Sequence, residues 1–107
     1  MKPKKKQDDY YLEPEELKES VREMKKLGRM TERFARHLLT IQEKVLEFRR
    51  FIGYRDTLKD EMRSYNLYRW AKRGWKMIDA DKNCFAYITT ACQLNFLRAL
   101  ADYYKEQ

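Results

Sequence analysis

At 107 residues, with 43% of them hydrophobic, the chain has the length of one domain and can bury a single modest core. A formal net charge of +7 favours nucleic acid, an anionic membrane surface or an acidic protein as partner, without choosing among them. No apolar run is long enough for a bilayer span and no apolar segment follows the basic start as in a signal peptide, so a cytoplasmic setting is expected.

In chain order, residues 1–9 read as a flexible basic arm carrying Lys2, Lys4, Lys5 and Lys6. Residues 10–107 then form one helical domain, with Tyr10, Tyr11 and Leu12 as its first anchoring groups. Three Gly and two Pro leave few breakers, so long helices are expected. The first opens at Pro14, with Glu13, Glu15 and Glu16 at the positive end of its dipole. It carries Leu17, Val21 and Met24 inward and stops at Gly28. Its mixed charges mark it as a packing element with a solvated outer face.

Thr31 is placed to cap a second helix. Phe34, Leu38, Ile41, Val45, Phe48 and Ile52 follow at helical spacing, which predicts one continuous core face ending at Gly53. His37 lies beside that stripe and is read as a core-edge group without a chemical role. Asp56 is placed to cap a third helix, 56–78, with Leu58, Met62, Tyr65, Tyr68, Ala71, Trp75 and Ile78 along one face. Leu67, Trp70 and Met77 fall elsewhere on it, more apolar surface than one stripe needs. The second half of this helix carries Arg69, Lys72, Arg73 and Lys76, joined beyond it by Lys82, and is the most positive part of the chain.

After a short loop, Asn83 is placed to cap the last helix. Phe85, Ile88, Cys92, Phe96 and Ala99 recur at steps of three and four and predict its buried face. Tyr87, Thr89, Thr90, Gln93 and Arg98 fall off that stripe. These are hydrogen-bonding and stacking groups, suited to phosphates, base edges and base faces. The expected fold is an all-α compact bundle of about four helices.

Chemistry for catalysis is sparse. One His cannot complete a convincing triad, and no phosphate loop or metal-ligand cluster is present. Cys84 and Cys92 lie eight residues apart on one helix, about 12 Å of rise, too far for a disulfide between them. Neighbouring acids such as Asp60 and Glu61 diverge on a helix. A binding protein is therefore expected, not an enzyme, with no metal and no cofactor.

Several runs resemble a known family. Phe51-Ile52-Gly53-Tyr54-Arg55, then Lys59-Asp60-Glu61-Met62, then Ala86-Tyr87-Ile88-Thr89-Thr90-Ala91-Cys92 and Phe96-Leu97 are similar, in order and spacing, to region 2 of the sigma factors that T-even-like phages use for late transcription. The resemblance implies a sigma region 2-like helical domain whose partners are host bacterial RNA polymerase and promoter DNA. Its dock on the clamp helices of the largest polymerase subunit would be helix 56–76, through Asp56, Asp60, Glu61, Ser64 and Leu67. The reader of an AT-rich, −10-like element would be Tyr87, Thr89, Thr90, Gln93 and Arg98, with the cations of the third helix tracking the backbone. Other phage transcription factors are further candidate partners; a membrane is not.

The chain also departs from the family. Tyr65 stands where many sigma factors carry an acid in the dock. Thr90 and Ala91 stand where housekeeping sigma factors have paired tryptophans, and no strongly basic segment follows Arg98. Three readings stay open: a minimal phage sigma factor, a sigma-like regulator that occupies the clamp without reading DNA, and a small basic helical DNA-binding or assembly protein.

Overall fold

The computed structural model describes residues 14–105. The basic arm, Tyr10 to Leu12 and the first-turn Glu13 lie outside the described residues. Four long helices and one short one make up the described chain: α1 (Pro14–Leu27), α2 (Glu32–Leu46), α3 (Arg49–Ile52), α4 (Asp56–Arg69) and α5 (Cys84–Lys105). Among the described residues there is no strand. Helix α4 runs on through a π-helical stretch, Trp70–Gly74, into a closing turn, Trp75–Met77. The expected all-α bundle is what forms.

Local chemistry sets several helix ends where the sequence predicts them. Gly28 takes a φ of 74°, and its N–H and that of Arg29 both reach the Met24 carbonyl, closing α1. The Thr31 hydroxyl accepts from the Phe34 N–H at 3.1 Å and starts α2. Asn83 Oδ1 does the same for the Ala86 N–H at 3.0 Å and starts α5. Asp56, by contrast, is not a cap. Arg55 is the extended residue before α4, no side chain caps that end, and Asp56 belongs to the first turn, where its charge favours the dipole.

The second helix does not run to Gly53. It stops at Leu46, and Phe48 adopts an extended backbone (φ −64°, ψ 147°) before α3 begins. The break rotates α3 relative to the stripe of α2. Phe51 enters the core, 5.4 Å edge-to-face from Phe96 of α5. Phe48 and Ile52, expected in the core, are 37% and 55% exposed.

Helix α5 packs along α4 and across α2 and α1, so it is the spine of the bundle. Its buried set is Cys84, Ile88, Cys92, Phe96, Ala99 and Leu100. Phe85, expected in that set, is 50% exposed; Cys84, one residue earlier, takes its place. On the third helix the inward stripe is Leu58, Met62, Asn66 and Trp70, at steps of four. Tyr68 and Ala71, expected on it, are exposed.

Trp70 is the largest fully buried side chain and lies 5.7 Å from Phe34. The π turn begins here, closed by the Trp75 N–H to the Trp70 carbonyl. Gly74 completes the fit: an added Cβ would lie 2.5 Å from the indole. Beside it, Asn66 Nδ2 donates to Gln42 Oε1 at 2.9 Å and to Cys92 Sγ at 3.4 Å, while Asn66 Oδ1 accepts from Asn95 Nδ2 at 2.9 Å. Buried amides must be paired, and this relay fixes α2, α4 and α5 in one register.

Candidate protein and nucleic-acid interface

The outward face of the third helix changes sign along its length. In the first half the cations turn inward. Arg63 makes two hydrogen bonds to the Glu43 carboxylate of α2, at 2.8 and 2.9 Å, and one to Asp60 at 2.7 Å. Lys59 Nζ donates to the Ile52 carbonyl at 3.0 Å. Those Arg63 hydrogen bonds hold the Glu43 carboxyl below its ordinary range, against the opposing effect of its partial burial. Asp60, Glu61 and Ser64 are left exposed, with Asp56 exposed in the first turn. Asp60 is engaged by Arg63, whereas Glu61 makes no ion pair among the described residues. Leu67 is half-buried and packs on the core. The expected dock residues thus share one side of α4, all but Leu67 exposed.

The second half is positive. Lys72 stacks over the exposed Tyr68 ring at 5.6 Å, and Lys76 over Trp75 at 5.7 Å. Arg73 is exposed and Arg69 half-buried. More cations gather here than the sequence suggests. Lys25, in the last turn of α1, donates to the carbonyls of Lys76 at 2.7 Å and Ile78 at 2.8 Å, capping the end of the third helix. Arg22 approaches Asp81 at 3.8 Å, and Lys26 borders the same shallow recess beside Met77 and Ala80. The signal for this cluster is Lys25 and Lys26 at the end of α1. In sequence it reads as local charge balance.

On α5 the expected reader splits. Tyr87 and Thr89 are two residues apart, about 200° around a helix. Tyr87 is 41% exposed on the α4 side, its ring edge-to-face with Trp70 at 6.2 Å. Arg98 is eleven residues on, about three turns, and returns to that same flank, exposed. Thr89 and Gln93 occupy the opposite flank, toward α2 and α3. The Thr89 hydroxyl is buried with no hydrogen-bond partner among the described residues. Gln93 Oε1 accepts from Arg50 at 3.3 Å. Thr90 is exposed between the two flanks. Tyr87, Thr90 and Arg98 therefore remain accessible together; Thr89 and Gln93 do not join them.

Thr89 borders a groove of about 840 Å³ between α1, the end of α2 and the start of α5. Lys82, expected with the cations of the third helix, lies on the rim of this groove with Lys18. His37 sits at the edge of the core, 3.5 Å from Glu16, whose carboxylate Arg33 grips through two hydrogen bonds at 3.0 Å.

Both cysteines are free and buried. Burial pushes the Cys92 thiol up to about 11, partly offset by the bond from Asn66, and raises Cys84 as well, so neither is an activated nucleophile. Among the described residues no group of three or more His, Cys, Asp and Glu is arranged to hold a metal, and no helix is long and apolar enough to cross a membrane. No family model, curated protein or solved structure matches the chain.

Proposed function

We propose that the chain is a minimal phage-type sigma factor. It docks on the clamp helices of the largest subunit of bacterial RNA polymerase through the acidic side of α4, and helps open an AT-rich promoter element with the basic stretch that continues α4, Lys72, Arg73 and Lys76, and with Tyr87. The observation that carries this reading is the reversal of charge along one exposed helix face. Glu61 and Ser64 offer acceptors to a protein partner, and Lys72, Arg73 and Lys76 offer cations to phosphate. An exposed tyrosine on the neighbouring helix supplies a stacking surface for an unpaired base.

A second reading, a regulator that occupies the clamp without reading DNA, draws support from the turning away of Thr89 and Gln93. It is also supported by the last turns of α5, where Asp102 offsets Lys105.

Run-off transcription with purified chain, core polymerase and a linear AT-rich template separates the two. The sigma reading expects defined transcripts from the chain and core alone. Glu61→Lys should abolish co-purification with core polymerase. Tyr87→Ala should retain co-purification and lower open-complex formation about tenfold, the worth of one base stack. No transcripts from the chain with core polymerase, together with suppression of transcription by a host sigma factor, would establish the regulator. Absence of any polymerase binding would sink both.

A further inference from the structure

The groove between α1, α2 and α5 is an apolar space of about 840 Å³ that the described residues leave unfilled. Leu17, Ile41, Val45 and Cys84 line it, and Phe48 and Phe85 stand at its mouth, both at least one-third exposed. The four lining side chains are themselves buried, so the open apolar surface here is the pair of phenylalanine rings at the mouth, which an apolar segment can cover.

The position of Pro14 points to one. Pro14 is the first described residue and itself lines the groove, so the residues covalently joined to it lie within reach of that groove. The residues just before it are Tyr10, Tyr11 and Leu12, the one apolar cluster that precedes α1. At about 3.5 Å per residue, Leu12 lies within about 7 Å of Pro14 and Tyr10 within about 14 Å. Charge agrees with reach. Asp8, Asp9 and Glu13 flank the cluster. Lys18 and Lys82 stand on the rim together with Asp81, alongside Lys44, which also reaches Glu47 at 4.0 Å.

We propose that Tyr10, Tyr11 and Leu12 of the same chain fill this groove, with the acidic residues beside them against the lysines of its rim. This seat is independent of the transcriptional reading. It extends the core across α1, α2 and α5, and it starts the run Lys2 to Lys6 from the edge of the fold where Lys82 lies.

Two measurements on the full chain test it. The first places the photocrosslinker p-benzoylphenylalanine at Tyr11 and maps the products by mass spectrometry. Links within one chain to Val45, Phe48 or Phe85 support the seat. Links only between chains, which would put a second copy in the groove, or links to other faces overturn it. The second compares alkylation of the two cysteines in the wild type and in a Tyr11→Ser/Leu12→Ser chain. Cys84 lines the groove and Cys92 lies in the core against Asn66, so Cys92 reports folding. The expected result is a rise of about tenfold or more at Cys84 with Cys92 unchanged. An unchanged Cys84 rate overturns the proposal, since a small apolar molecule or nothing would then cover the groove. A parallel rise at both cysteines without a crosslink to the groove wall overturns it too.

Discussion

Trp70 shows how one side chain dictates its surroundings. To bury an indole between Phe34 and Tyr87, the helix opens into a π turn and position 74 gives up its Cβ. Gly74 has an ordinary helical conformation, so the demand on it is space and not backbone freedom. Gly74→Ala should therefore destabilise the fold by about 1–3 kcal/mol, although alanine is the better helix former. Urea unfolding measures this, and a neutral or stabilising result would show that the indole can shift. The Arg63–Glu43 pair gives a prediction of a different kind. The Glu43 carboxyl is held below its unfolded value of 4.5, chiefly by the Arg63 hydrogen bonds. A depressed carboxyl pKa stabilises the fold at pH above the unfolded value, and that contribution is lost as pH falls through the folded one. The stability gap between wild type and Arg63→Met should be full at about pH 6 and close toward about pH 3. Denaturation midpoints across that range would test it, and a gap independent of pH would assign the effect of Arg63 to packing of its stem.

Among the elements, the ends that the sequence predicts are those set by local chemistry. Gly28, Thr31 and Asn83 each act within four residues of themselves, so their roles are legible without a fold. The break after Leu46 is not, because no Gly, Pro or capping side chain marks it; the core makes it, by drawing in Phe51 to meet Phe96. The third helix misleads for a related reason. Its inward stripe includes Asn66, whose partners Gln42 and Asn95 come from other helices, and its π turn shifts the register just where Trp70 must enter. A count of apolar residues at regular spacing skips the first and misplaces the second. The candidate site is legible in part. Side-chain types identify Glu61, Lys72 and Tyr87, but only the packing of α5 separates Thr89 and Gln93 from them, and only the tertiary fold brings Lys25 to the end of the third helix. That last contact is testable. Lys25→Met removes a charged donor from the Lys76 and Ile78 carbonyls and should cost about 1 kcal/mol. Amide exchange should quicken about fivefold or more at Ile78, whose N–H bonds to Gly74, and stay unchanged at Met62. Uniform acceleration at both sites would mean that the lysine supports the whole fold.

Across the whole molecule, the net charge of +7 is less informative than its distribution. Arg33 is consumed by the acids of α1 and Arg63 by Glu43 of α2 as well as Asp60, so these two cations hold helices together, while Arg36 pairs with Glu32 within α2. Lys72, Arg73 and Lys76 make no ion pair among the described residues; they stand on the part of the third helix that Lys25 and Tyr87 border. A counterion-release measurement distinguishes the two kinds of cation. Each phosphate neutralised on single-stranded DNA contributes about 0.7 to the slope of log affinity against log salt. With the proposed reading, Lys72→Gln/Arg73→Gln should weaken binding to a single-stranded AT-rich oligonucleotide and flatten that slope by about 1.4. Arg36→Gln, which breaks an exposed pair with Glu32, should leave the slope unchanged. Equal flattening by both variants would mean that DNA responds to overall charge alone. An unchanged slope in the double variant would remove the basic half of the third helix from the DNA path and leave the clamp-occupying regulator as the better account.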